Sequence, residues 1–335
     1  MKFAHSVFLG AAMVMFSLPA LAQRPAVPVE LEGQIQSIQR NTLQDGVVLK
    51  VNGTTVEIPA AVIAGGKVTS PTSKLTNIDD IVSVKEFHGR PGLAGLKGGL
   101  AIITGRSDAT GVWADNVFLE PAENTVVGAV TANDLTPSAN ANDPTKGFRV
   151  EGVEVVLLPS SPTSDSYPPA KAPYDSRLPG LPATNNAGLA IKPGSIKPYA
   201  DASAEGYFGI DPLTGRDVFY AFSIRSVGDL VGSAPAVTIT RAQCRVRSTT
   251  EIELDIRGAV KPWTAGATVS INPPNAAYNN GRPYNAAAPV TQDNSDPGVG
   301  QFRLDGRLNS VGGCPTSIIV KFAGANDAVA AVENK

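Results

Sequence analysis

Histidine is the side chain most often used as a general base, and this chain of 335 residues has two of them. His5 lies in an N-terminal leader, so His88 is the only imidazole expected in the mature protein. Any Ser-His-Asp or Cys-His site would have to be built on it. His88 heads a glycine-rich run, residues 88–99, and no Gly-x-Ser-x-Gly occurs in the chain. The run lacks Gly-Lys-Ser/Thr and leads into a strand rather than a helix, so it does not read as a phosphate cradle. It reads as a mobile hairpin loop carrying a solvated histidine. The two cysteines, Cys244 and Cys314, have no Cys-x-x-Cys spacing and no accompanying histidine. In an oxidising compartment such a pair is expected to form a structural disulfide, contributing about 4 kcal/mol in the chain-entropy model. Zinc is disfavoured with one histidine and no free thiol. Asp134 and Asp143 lack the Asp-x-Asp-x-Asp-Gly order of a calcium loop and read as polar turn residues. Neither a metal nor a cofactor is expected.

Carboxylates remain. Asp79-Asp80 is the obvious pair, but adjacent residues on a strand or turn point apart, and glycosidase chemistry needs two carboxyls facing across a cleft. Arg245, Arg247 and Arg257 add positive charge late in the chain and read as solvated surface. The remaining candidates are tyrosines. Tyr167, Tyr174 and Tyr199 are spaced along a Pro-, Ser- and Ala-rich insertion, residues 159–205. So long a stretch without regular structure is either a disordered excursion or an extended arm lying across a surface. On such an arm tyrosines would be anchors, combining apolar area with a polar tip; these three are the candidate binding residues.

The elements that would position these groups are strands. Leu31, Gly33, Ile35 and Ser37 alternate with Glu32, Gln34 and Gln36, the period of a half-buried strand. Val47, Leu49 and Val51 continue the pattern, Asn52-Gly53 supplies a type I′ turn, and Val56 and Ile58 return. The same grammar recurs roughly a hundred residues later, about one small domain. Gly33-Gln34-Ile35 is echoed by Gly128-Ala129-Val130, and the 51–59 hairpin by residues 150–159. Two copies of one β module are expected. Further strands are read at 81–87, 100–104 and 112–119. An aromatic-rich strand region, 206–224, would close the second copy. A third module opens at Val237, alternates Ile252, Leu254 and Ile256 with Glu251, Glu253, Asp255 and Arg257, and ends at Phe322. Residues 273–297 form an excursion within it, and the chain from Ala323 frays or makes a short helical tail.

Residues 1–22 read as a secretory signal peptide: Lys2, an apolar core from Val7 to Leu18, then Ala20-Leu21-Ala22. The apolar run is too short to span a bilayer, and no later segment could. The organisation expected is signal peptide 1–22, first barrel module 28–123, second module 125–230 with the 159–205 insertion, β-sandwich 234–323 and tail 324–335. Gly 33 and Pro 27 fit an all-β chain with many turns. A net charge of −2 argues against a nucleic-acid backbone binder.

The pattern Glu32-Gly33-x-Ile35, Val51-Asn52-Gly53-Thr54-Thr55-Val56 and Val82-x-Val84 resembles exported bacterial β domains of unknown function, which look like small OB-type barrels and often occur in tandem. It covers residues 28–123 and, more loosely, 125–225. Residues 237–322 resemble the immunoglobulin-like modules of bacterial surface proteins. The resemblance implies an all-β architecture of two OB-like barrels followed by an immunoglobulin-like sandwich. It carries no catalytic residues. The function expected is a non-enzymatic, exported binding or scaffolding component of the cell envelope, periplasmic or extracellular, whose partner is an envelope or surface protein or a glycan. A secreted carbohydrate-active enzyme, or its accessory glycan-binding module, is the alternative.

Overall fold

The computed structural model describes residues 26–121, 124–133, 147–168, 171–272, 286–294, 296–309 and 313–335. The leader, Asp134, Asp143 and residues 273–285 of the expected excursion lie outside them. Strand accounts for 52% of residues and helix for 5%, and the class is all-β.

Six strands open the chain: β1 (Val27–Arg40), β2 (Val47–Val51), β3 (Thr54–Ile58), β4 (Val68–Thr69), β5 (Leu100–Ser107) and β6 (Val112–Glu120). Asn52 and Gly53 both take positive φ, 48° and 85°, and close the β2–β3 hairpin as their types predict. β1 pairs with β2 and β5, β5 with β6, and β3 runs parallel to β6, which closes the ring β1-β2-β3-β6-β5. Every second side chain points inward, so Ile35, Val47, Leu49, Val51, Val56, Ile58, Ile103 and Leu119 are buried.

Five strands form a second closed barrel: β7 (Asn124–Asn133), β8 (Phe148–Val150), β9 (Val153–Leu157), β10 (Asp201–Ile210) and β11 (Asp217–Arg225). Its pairing order, β7-β8-β9-β11-β10 with β9 parallel to β11, repeats that of the first ring. The local detail repeats too. A register shift follows Ile35 in one and Val130 in the other, and a second precedes Gly105 and Gly206. The first residue of each hairpin turn, Asn52 or Glu151, folds its side chain over a glycine. There it accepts from the next N–H, that of Gln34 at 3.3 Å or Ala129 at 2.7 Å. A Cβ on Gly33 or Gly128 would stand 2.0 or 2.3 Å from those side chains, which is why each strand carries glycine there.

One matched position breaks the rule. Gly98, just before β5, has φ 86°; its counterpart before β10 is Tyr199, at φ 68° and 87% exposed. Left-handed backbone costs a side-chain-bearing residue about 1–2 kcal/mol, and glycine's extra unfolded freedom returns about 0.5–1 kcal/mol of that. Tyr199→Gly should therefore stabilise the protein by up to about 1 kcal/mol in denaturant unfolding. A destabilised variant would mean that the phenol ring makes a contact worth more than the strain.

The third body is an eight-stranded sheet. Its strands are β12 (Ala236–Ser248), β13 (Glu251–Lys261), β14 (Thr268–Asn272), β15 (Ala286–Gln292), β16 (Gly300–Asn309), β17 (Ser317–Lys321), β18 (Ala328–Ala331) and β19 (Glu333–Asn334). It folds over so that β12 also meets β17 and β18, around Leu254, Ile256, Ile271, Phe302, Ile318 and Val320. Cys244 on β12 and Cys314 before β17 form a disulfide with Cα atoms 5.8 Å apart.

Two expectations fail. Residues 81–82, the start of the expected 81–87 strand, end a helical turn, α2 (Ile78–Val82), which follows another of the same length, α1 (Ala60–Ala64). The Asn77 side chain accepts from the Asp79 N–H and starts α2, with Asp79 and Asp80 in its first turn. The rest, 83–87, is loop. The C-terminal tail is neither frayed nor helical. β18 pairs with β17 and β19 with β12, so the last strands join the two edges of the folded sheet.

Candidate functional site

The insertion folds as a strap. β9 is short, and beyond Ala221 the edge of β11 would be bare. The strap fills that edge: Leu181 N–H donates to the Phe222 carbonyl at 2.6 Å, Thr184 to Ile224 at 3.0 Å, and Ser226 returns to Thr184 at 2.9 Å. A tongue follows, residues 184–190, bridged Thr184 to Ala190. The Asn185 side chain shapes it by accepting from the N–H groups of Ala187 and Leu189.

This strap touches all three bodies. On the first barrel, Arg177 donates to the Lys85 carbonyl at 2.8 Å and lies 4.0 Å above the Phe87 ring. Asp175 grips the same guanidinium through both oxygens. Burial alone would raise the Asp175 carboxyl, but Arg177 holds it below the usual range. On the second barrel, Lys171 sits between Glu154 at 3.5 Å and Asp211 at 3.6 Å, and Arg216 reaches Glu154 at 3.6 Å. Lys171, Glu154 and Asp211 are almost wholly buried. Burial pushes the Asp211 carboxyl up, and the Leu213 N–H, the Thr214 hydroxyl and Lys171 bring it below the ordinary range. On the third body, the Ala187 carbonyl accepts from the Thr238 hydroxyl at 2.7 Å, and Leu189 packs with Ala259 and Val299.

His88 is not a solvated loop residue. Its ring stands edge-on to Tyr220 at 5.2 Å, and its Nε2 is buried with no hydrogen-bond partner among the described residues. Tyr207, stacked at 5.4 Å on Tyr220, donates to the His88 carbonyl. The glycine-rich run is packed: Phe87 and Leu96 are buried, and Arg90 donates to the Pro121 carbonyl. The chain folds here because apolar Phe87 and Leu96 bracket glycines that let the backbone turn between the barrels. Burial lowers the His88 pKa below 6.5, partly offset by a hydrogen bond to the Lys171 backbone and by Asp211. The fold thus favours neutral His88. Its contribution to stability is complete above pH 6.5, the unfolded value, and is lost as the pH falls from there toward the lower folded value. A thermal melt should weaken between pH 6.5 and 5, before the carboxylates titrate, and His88→Gln should flatten that interval. An unchanged slope in the variant would exclude His88 as its source.

The tyrosines have three different surroundings. Tyr167 packs against the core of the second barrel, and burial raises its pKa. Tyr174 is half-buried and, with His88, Asp175 and Tyr207, lines a pocket of about 110 Å³ between the barrels. Tyr199 stands in solvent. Asp79 pairs with Arg40, away from the strap. Among the described residues, no group of His, Cys, Asp and Glu could hold a metal ion. No described helix is long and apolar enough to cross a membrane.

Open concavities lie on both flanks of the tongue. One, about 670 Å³, runs between Leu181, Pro182 and Thr184, the first barrel's Phe118 and the second barrel's Phe222. The other, about 520 Å³, lies between Asn186 and Ala187 and the third body's Arg257, Thr291, Gln301 and Arg303. Nothing in the sequence marked these grooves, because each is made by elements far apart in the chain. No protein-family model matches the chain, and neither a curated protein nor a solved structure matches it.

Proposed function

We propose that this is an exported, non-enzymatic binding or scaffolding protein of the bacterial cell envelope, in which one strap holds three β modules in a fixed array. The observation that carries the reading is where the strap's charged groups go. Arg177 clamps the strap to the first barrel, Lys171 and its carboxylates fix it to the second, and open grooves lie beside the tongue. A rigid frame presenting loops and grooves suits binding. The five-stranded rings, with their third strands parallel to their fifth, support OB-type barrels arranged as a tandem repeat. The folded, disulfide-bridged sheet supports an immunoglobulin-like outline. The disulfide also supports export, since such bonds persist in oxidising compartments.

The test is made in the native cell. Fractionation should place the protein outside the cytoplasm. Cross-linking there should trap a defined envelope component, whose yield falls when Asn185, Asn186 and Ala187 on the tongue are replaced by glycine. Recovery in the cytosol, or turnover of a glycan by the purified protein, would contradict the proposal.

A further inference from the structure

A buried lysine stands between two buried carboxylates where the strap meets the second barrel. The Lys171 side chain is 6% exposed, Glu154 6% and Asp211 3%. Withdrawing charges from water is costly, and a buried ion pair offsets that cost only when its geometry is close. Charge-assisted N–H···O bonds close to about 2.7–2.9 Å. Here Nζ is 3.5 Å from Glu154 Oε1 and 3.6 Å from Asp211 Oδ2. The backbones hold the three groups at that spacing. The Ser166 hydroxyl accepts from the N–H groups of Lys171 and Ala172, each at 2.8 Å. Asp211 is set by its turn: its N–H donates to the Arg216 carbonyl at 2.8 Å, and its carbonyl accepts from the Gly215 N–H at 2.7 Å. Glu154 stands on β9 with Oε2 toward Arg216 at 3.6 Å. As an ion pair the arrangement is loose. As a reacting pair it is close to the roughly 3–3.5 Å at which reacting atoms are held.

Asp211 also has the donors that acyl transfer needs. Its Oδ1 accepts from the Leu213 N–H at 2.9 Å, and its Oδ2 from the Thr214 hydroxyl at 2.8 Å. An N–H so placed stabilises the oxyanion of a tetrahedral intermediate. Glu154, buried and within reach of Nζ, is placed to move protons. The donors around Asp211 hold it as the carboxylate, so a proton has to reach it before an amine attacks.

We propose that Lys171 and Asp211 condense to an intramolecular isopeptide bond, a covalent clasp between the strap and the second barrel, with Glu154 as the proton carrier. Glu154 takes one proton from the Nζ ammonium and passes it to Asp211 Oδ2. The Nζ lone pair then forms the bond to Asp211 Cγ, and negative charge collects on Oδ1. Glu154 moves a second proton from the nitrogen to Oδ2. The Cγ–Oδ2 bond breaks with its electron pair on oxygen, and one water leaves. An ammonium and a carboxylate become a neutral amide and water, Glu154 ends as it began, and no co-reactant is consumed. Burial sets the direction, because condensation removes two desolvated charges and the closed site keeps out the water that hydrolysis needs.

The experiment weighs the full mature chain, denatured and reduced, by electrospray mass spectrometry. Wild type should be lighter than its sequence by one water, and its digest should contain a branched peptide joining Lys171 to Asp211. Lys171→Met and Asp211→Ala should each have the full sequence mass, and Glu154→Gln should be recovered mostly at the full mass. Wild type at the full sequence mass would overturn the proposal whatever the variants do, so a variant that fails to fold leaves the test intact. A water loss that persists in Lys171→Met would overturn it too, marking a cyclised aspartate elsewhere in the chain. Complete bond formation in Glu154→Gln would overturn the role given to Glu154.

Discussion

Truncating Arg177 to alanine is expected to cost about 3 kcal/mol of unfolding free energy, the lower end of the range for removing one partner of a buried ion pair. The side chain is 2% exposed and spends its guanidinium three ways. It forks onto Asp175, donates to the Lys85 carbonyl and covers the Phe87 ring. Alanine would leave a carboxylate and a carbonyl without their donor and open a void beside Phe87. Arg177→Met keeps most of the volume and should cost less. Adding Asp175→Asn to it should recover part of the loss, since the unpaired charge is then gone. The pH dependence supplies an independent check. Asp175 titrates below its unfolded value of 3.8. Its stabilisation is therefore complete above that pH and lost as the pH falls through the lower folded value. That acid step should shrink in Arg177→Met. Urea midpoints across the four proteins measure all of this; an Arg177→Ala midpoint equal to wild type would remove the strap's hold on the first barrel.

The second large effect belongs to the disulfide. Replacing Cys244 and Cys314 with alanine is expected to cost about 4 kcal/mol, the chain-entropy value for so long a loop, the two residues being 70 apart in sequence. The loss should also be local. The bridge ties β12 to the approach to β17, and the Lys335 N–H donates to the Cys244 carbonyl, so β19 leans on the same point. The chain has two tryptophans, Trp113 on β6 and Trp263 just after β13. In the alanine variant, Trp263 emission should change at lower denaturant than Trp113 emission, each read with the other replaced by phenylalanine. Coincident transitions at the wild-type midpoint would show that the folded sheet does not depend on the bridge.

What the sequence disclosed follows from the range of the signals. Asn52-Gly53 between alternating valines fixes a hairpin from a handful of neighbouring residues, and the structure has that hairpin. The cysteine pair needed only composition and compartment. Barrel modules were expected, but which strands close each ring was not legible, because β3 meets β6 and β9 meets β11 in parallel across long intervals. The strand expected at 81–87 failed because Ile81, Val82 and Val84 are too short an apolar run to tell strand from helix. The deciding signal, Asn77 followed by Asp79 and Asp80, is a helix start that was present and outweighed. The sequence left the strap open between a disordered excursion and an arm lying across a surface, because its composition is that of loops. Its buried residues, Leu178, Leu189, Ile191 and Ile196, are spaced to meet three different bodies and so show no single period. In the third body Arg257 stands in register with Arg241 and Arg303 across β12, β13 and β16. The alternation through Arg257 could be read, but that Arg241 and Arg303 stand opposite it depends on register, set in part by the shift between Ile239 and Arg241.

The central claim is that residues 171–200 are a folded strap joining three bodies. Hydrogen–deuterium exchange of the intact chain tests it most directly. The amides of Leu181, Thr184 and Ile191, bonded to Phe222, Ile224 and Ala183, should exchange as slowly as the barrel amides of β9 and β11, because opening them requires a cooperative unit to open. Exchange of those three at free-chain rates, with the barrel strands still protected, would contradict it.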